Sequence, residues 1–250
     1  MPVKTDEKKQ HFDDIYVATT PVPYKTEILD KLEYISDDNN RQVFDRLILP
    51  WVQQQQGKLN YVDLCACFGN TTMATVCGMT YKQICDNWKD EDSCMTIQEK
   101  RRFDCHTTAI DISANAMAYC KKTGLFDEAI VVDLNDSSLE EEQKQVQAAM
   151  ANADIFLSTA ALVYLDLETI ERIVQAFASK PTEGYMLVNF LNPFSLEKAD
   201  ETKRVLVKHL DFVGSMAARH RRMSPLEQEN YPGETWALLE LWVLRRKPKA

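Results

Sequence analysis

The chain has 250 residues, 45% hydrophobic and 27% charged, with only 7 Gly and 9 Pro, which fits one large globular domain and excludes disordered and fibrous classes. A net charge of −9 with scattered basic residues argues against a nucleic-acid binder, which needs a basic face. The clusters Arg219-His220-Arg221-Arg222 and Arg245-Arg246-Lys247 read as solvated ends of elements. Seven cysteines form an odd set, and Cys65-x-Cys67 has no second pair or His pair nearby, so neither a metal site nor a disulfide framework is expected. The start "MPVKTDEKKQHFDD" lacks the apolar stretch of a signal peptide, and no run approaches the roughly 20 apolar residues of a membrane span. A reducing, cytoplasmic setting without membrane contact is the expectation.

Residues 1–56 read as a polar start followed by helices, with Ile28, Leu29, Leu32 and Ile35, then Val43, Phe44, Leu47 and Ile48, at helical spacing. Gln53 to Gln56 read as a helix end. From Leu59 short apolar runs alternate with amphipathic stretches. The runs are 60–67, 107–112, 128–134, 153–159, 184–191 and 236–244. Such alternation, with strands apolar on both faces, predicts an α/β fold: a Rossmann-like doubly wound sheet, mostly parallel. The last run, after "YPGET", reads as an antiparallel edge strand. The expected organisation is a single domain in which 1–56 forms a helical lid over a 57–250 core. A charged insertion near 87–103 reads as a surface excursion or flap.

Ligands of such sheets bind beyond the carboxyl ends of the strands. The first run passes through Asp63, Cys65, Cys67 and Gly69 into a helix starting near Asn70, whose free amides could face a ligand. Asp111 ends the second run, Asp133 the third, and Ser158-Thr159 the fourth. An ionised carboxylate offers two acceptor oxygens and no donor, which suits two ribose hydroxyls at Asp111, and Asp133 could accept from an adenine amine. Either acid could instead cap a helix, since Asp111 precedes Ser113 and Asp133 precedes Asn135; their position on adjacent strands favours the nucleoside. A dinucleotide is disfavoured, because its ribose acid normally follows the glycines by about 20 residues and Asp111 lies much farther from Gly69.

The order Asp63 to Gly69, then "AIDISANAMAYCKKTGLFDEAIVVDLND", then "ADIFLSTAALVYLDLETI" resembles the class I S-adenosylmethionine-dependent methyltransferases over about 59–192. The resemblance implies S-adenosylmethionine as cofactor. It places Asp63, Cys65, Gly69 and Asn70 at the methionine end, Asp111 and Ile112 at the ribose, Asp133 and Leu134 at the adenine, and Ser158 and Thr159 beside the transfer site. It also implies an antiparallel seventh strand. Two of the three glycines of the family's D-x-G-x-G-x-G loop are Cys65 and Cys67 here, which are expected not to need positive φ, leaving Gly69 for close approach to the ligand. A small-molecule acceptor is expected, because "NPF" after the fifth run is not the N-P-P-[FY] signature of base-methylating enzymes. Candidate orienting residues are Tyr164, Asn189 and Tyr24, with Asn192 nearby unless Asn192-Pro193 simply initiates a turn, and Tyr16 and Tyr24 are candidates for the lid. Tyr164 could equally be a helix residue packed on the sheet. A second chemistry on this fold closes the cofactor's aminobutyrate chain to azetidine-2-carboxylate and releases methylthioadenosine, with Tyr24, Tyr164 and Asn189 as a cage for the amine.

Overall fold

The computed structural model describes residues 8–246. Seven strands form one sheet: β1 (Leu59–Leu64), β2 (Cys105–Asp111), β3 (Glu128–Val131), β4 (Ile155–Ser158), β5 (Tyr185–Asn192), β6 (Asp211–Arg222) and β7 (Trp236–Arg245). Their order is β3-β2-β1-β4-β5-β7-β6. The pairs among β1 to β5 are parallel, and β7 runs antiparallel to both neighbours. Side chains of β4 are buried throughout and those of β5 nearly so, as required of strands covered on both faces.

Helices Glu140–Asn152 and Leu167–Ser179 cover one face, where Phe156, Val174, Phe177 and Val188 pack together. On the other, Val43 and Phe44 of helix Ser36–Leu47 pack over Tyr61, Leu157 and Leu187. The sheet direction switches between β1 and β4, so loops after these strands diverge and leave a crevice at their carboxyl ends.

Three expectations need correction. The closing run is not an edge: β7 is inserted between β5 and β6, and the true edge, β6, carries no apolar run. Its outward positions are exposed and its pairing is broken by irregularities at Phe212/Gly214 and Arg219/Arg221, features of an edge kept unattractive to further strands. The first predicted helix is a short π-helical turn, Lys25–Asp30, after which the chain breaks at Glu33 with φ 48°. The 87–103 insertion has residues 89–92 and 98–100 exposed, and two of its side chains anchor it. Trp88 and Cys94 are fully buried, Trp88 Nε1 donates to Tyr119 Oη at 3.0 Å, and Tyr119 Oη donates to the Cys94 carbonyl at 2.6 Å. Finally, Arg221 and Arg246 are buried rather than solvated, at 2% and 0% exposure.

Candidate active site

A cavity of about 600 Å³ opens at the carboxyl ends of β1 to β4, within the range of small-ligand pockets. Its floor is made by Cys65, Ala66, Cys67, Asp111, Ile112, Ser113, Asp133, Leu134, Thr159 and Ala160. Its roof comes from the N-terminal segment, through Lys9, Phe12, Tyr16, Tyr24 and Tyr34, and from His220 and Arg221 of β6. Tyr16 and Tyr24 thus both face the space.

The loop after β1 hangs on the end of β2. Cys65 and Ala66 amides donate to the Ile110 carbonyl at 2.7 and 3.2 Å, and the Cys67 amide donates to Asp111 Oδ2 at 2.8 Å. The Ser113 amide donates to Asp111 Oδ1, also at 2.8 Å. Both oxygens of Asp111 are therefore fixed from behind while the residue lines the cavity. Burial raises its carboxyl above the ordinary range, opposed by these amides. Asp133 is exposed and accepts from the Asn135 amide at 3.0 Å. Asn135 in turn joins the loops after β3 and β4, donating to the Tyr164 carbonyl at 2.9 Å and accepting from the Asp166 amide at 2.9 Å.

The two cysteines overturn one expectation. Cys65 and Cys67 have φ of 58° and 50°, the left-handed conformation that glycine adopts freely and other residues adopt at a cost of roughly 1–2 kcal/mol. Ala160, on the opposite side of the floor, has φ 56°. The backbone here follows a path open to glycine while carrying side chains, and such strain concentrates at ligand sites. Burial pushes both thiols up, with Asp111 acting in the same sense, so they are protonated at neutral pH. Stability at position 67, read from thermal midpoints, should follow Gly ≥ Cys > Val, with Cys67→Val less stable than Cys67→Gly by about 2 kcal/mol. Equal midpoints would contradict the strained path.

Gly69 also has a different task from the one expected. With φ 83°, it starts helix Asn70–Thr75, and an added Cβ would stand 2.5 Å from Leu125 Cδ2 and 2.9 Å from Phe126 Cε2. The close approach is to a neighbouring loop and not to the cavity. Asp63, Ser158 and Asn189 likewise stand behind the wall. Asp63 is buried and accepts from Thr72 Oγ1 at 2.7 Å. Ser158 is buried in β4, and Asn189 accepts from the Ala160 amide while donating to Asn40 Oδ1 at 3.3 Å. Asn189 therefore holds the strained Ala160 turn in place. Tyr24, Cys65, Asn70, Asp111, Ile112, Asp133, Leu134, Thr159 and Tyr164 do line the cavity.

A buried polar layer lies beneath the floor. Asn70 Nδ2 donates to both oxygens of Asp37 at 2.9 and 3.1 Å. Loss of water pushes the carboxyls of Asp37 and Asp63 each up to about 7. The fold thus favours their neutral forms. The stability each contributes is complete below the ordinary carboxylate range near pH 4 and is lost as pH rises through about 7. The urea midpoint should therefore fall less between about pH 5 and about pH 8 in Asp37→Asn than in the wild type. An identical fall in both would show that Asp37 is ionised throughout.

Sequence reading missed Lys9, Tyr34, His220 and Arg221 at the roof. Burial holds His220 well below the usual imidazole range, so it is neutral, and its Nδ1 meets Ser36 Oγ at 2.5 Å. Arg221 makes a two-pronged ion pair with Glu227 (2.7 and 2.7 Å), and the one available signal was the Ser224-Pro-Leu-Glu227 capping box that follows it.

The sheet order with an antiparallel β7 inside it, and acids ending β2 and following β3 at one cavity, decides the architecture. The chain has the class I methyltransferase fold. No family model matches it, and no curated protein does. Among solved structures it is similar to one titled for the conversion of a disulfide bond into a thioacetal group during echinomycin biosynthesis, at 11% identity and TM-score 0.49 over 82% of each chain. Another is magnesium protoporphyrin IX methyltransferase from Synechocystis with bound SAH, at 10% identity and TM-score 0.46 over 86% of each chain. A third is geranyl diphosphate C-methyltransferase from Streptomyces coelicolor, at 11% identity and TM-score 0.44 over 84% of each chain. In this class I methyltransferase fold, β1 to β4 supply the cavity floor, and the N-terminal segment with β6 supplies the roof.

Proposed function

We propose that the chain is an S-adenosylmethionine-dependent methyltransferase acting on a small molecule. The observation that supports this most is Asp111. Its oxygens each accept one backbone amide, and each keeps a lone pair for one of two ribose hydroxyls. Asp133, exposed on the neighbouring strand's end, suits an adenine amine, with Ile112 and Leu134 as apolar flanks. Residues 65–70 and Thr159 then border the methionine and transfer end. Bound S-adenosylmethionine supplies an electrophilic carbon on a sulfonium.

What the chain must do is align a nucleophile and exclude water. The roof of Tyr16, Tyr24 and Tyr34 suits the second task, since Tyr24 is buried against Tyr16, Tyr34, Phe68 and Trp88. Tyr164, a cavity residue on the short turn after β4, is the candidate for orienting an acceptor. Asn189 acts through Ala160 as a positioning residue. A cavity roofed by the chain's own N-terminal segment supports a metabolite over a nucleic acid.

Ring closure of the cofactor's own chain is a second reading. Its cage was expected from Tyr24, Tyr164 and Asn189; Asn189 lies outside the cavity, and Tyr16 and Tyr34 stand there instead, the rings of Tyr24 and Tyr34 being 6.3 Å apart. The two chemistries leave different adenosyl products. Incubation with methyl-labelled cofactor and pooled small metabolites is expected to give S-adenosylhomocysteine and a labelled small molecule. Methylthioadenosine formed without an acceptor would favour ring closure or aminobutyrate transfer. Label passing only to bulk RNA or protein would remove the small-molecule reading.

A further inference from the structure

Among the described residues, Lys9 is a roof cation with no carboxylate paired to it. It is 8% exposed and lines the cavity. Among the described residues its ammonium donates to Tyr164 Oη and sits 5.0 Å from that ring's centroid, and no carboxylate pairs with it. An ammonium has three donors, so a single phenol oxygen leaves most of its capacity unused. Burying such a charge without a counter-charge is expensive. The neighbouring groups do not relieve it: His220 is neutral and Arg221 is already neutralised by Glu227.

Lys9 is also held in position. The Lys8 carbonyl accepts from Asn230 Nδ2 at 3.5 Å, and the Gln10 amide donates to Glu227 Oε1 at 3.0 Å, so the backbone on either side is tied to the segment after β6. If the cavity takes S-adenosylmethionine, whose sulfonium and ammonium outweigh its single carboxylate, a second net positive charge enters beside Lys9. The carboxylates that line the cavity, Asp111 and Asp133, stand on its floor, so the charge at the roof is matched by an anion brought in beside Lys9.

We infer that the acceptor substrate is an organic anion, a carboxylate or phosphate, whose charged group is bound by Lys9 beside Tyr164 at the roof of the cavity. The inference rests on the methyltransferase reading for the word acceptor, but the anion subsite stands on Lys9 alone. The same chemistry could come from the cofactor's own carboxylate, so the test separates the two.

Benzoate and inorganic phosphate would be titrated by NMR into the full chain, with and without saturating S-adenosylhomocysteine, for the wild type, Lys9→Met and Lys9→Arg. The affinity for S-adenosylhomocysteine and for methylthioadenosine, which has no carboxylate, would be measured alongside. At least one anion should bind the wild type and Lys9→Arg and bind Lys9→Met about tenfold or more weakly, while S-adenosylhomocysteine binding changes less than about twofold. Neither anion binding the wild type, or equal binding in Lys9→Met, would overturn the inference. So would a tenfold loss confined to S-adenosylhomocysteine in Lys9→Met, with methylthioadenosine unaffected, which would assign Lys9 to the cofactor. Lys9-dependent anion binding by a chain that does not bind S-adenosylhomocysteine would keep the subsite and remove the methyltransferase reading.

Discussion

Asp111→Asn is expected to weaken binding of S-adenosylhomocysteine by about a hundredfold or more, read by calorimetry. Two effects act together. A hydrogen bond to a charged acceptor contributes roughly 1.5–3 kcal/mol, and two such bonds to ribose hydroxyls are proposed here, so losing the charge and one acceptor removes about 3 kcal/mol, or ~100-fold. The substitution also disturbs the site itself. Asp111 accepts from the amides of Cys67 and Ser113; an asparagine has one acceptor oxygen and must turn an NH2 group toward the other amide. That amide is then orphaned next to a loop already strained at Cys65 and Cys67. Asp133→Asn serves as the comparison. Asp133 is exposed and holds only the Asn135 amide, so its loss should cost less than about tenfold. Equal effects at the two positions would contradict the assignment of the ribose to β2.

The second large effect is on stability. Glu227→Gln should lower it by about 3–5 kcal/mol, the usual cost of leaving one member of a buried ion pair without its partner. Glu227 is fully buried and receives Arg221 on both oxygens, together with the amides of Gln10 and Ser224. A glutamine can still accept, but the guanidinium beneath it would keep its charge with no counter-charge. The double variant Arg221→Met/Glu227→Gln should recover much of the loss, because replacing a whole buried pair is often near neutral. Urea midpoints of the wild type, single and double variants provide the measurement. A single variant within about 1 kcal/mol of wild type would show that the pair is open to water. The same cluster carries Gln10 and, through the Arg221 guanidinium 5.5 Å from the Phe12 ring centroid, the roof.

Much of the sheet could be read directly because its parallel strands are buried on both faces. An apolar run such as "ADIFLST" has no other comfortable home. The same logic made β6 invisible. "DFVGSMAARHRR" lies at an edge with one face toward solvent, so its sequence carries alternation diluted by Gly214 and by arginines instead of a run. Its last residues read as a solvated cluster in the sequence, yet the pairing is irregular at Arg219/Arg221 and His220 and Arg221 line the cavity.

Asp111 and Asp133 were legible because a strand end fixes where an acid points. The cysteines were misread for the opposite reason. Absence of glycine does not mean absence of positive φ, because bonds from the loop amides to Ile110 and Asp111 hold the path regardless of side chain. Lys9 offered no local signal at all. It sits in a polar start, and only its long-range ties to Asn230 and Glu227, through its neighbours, bring it over the cavity.

The most direct test of the account is a structure of the chain with S-adenosylhomocysteine bound. The ribose hydroxyls are expected within about 3 Å of the Asp111 carboxylate, with the adenine beside Asp133 and the homocysteine end over Cys65 and Cys67. A ligand lying elsewhere in the cavity, or a ribose with no contact to Asp111, would contradict it.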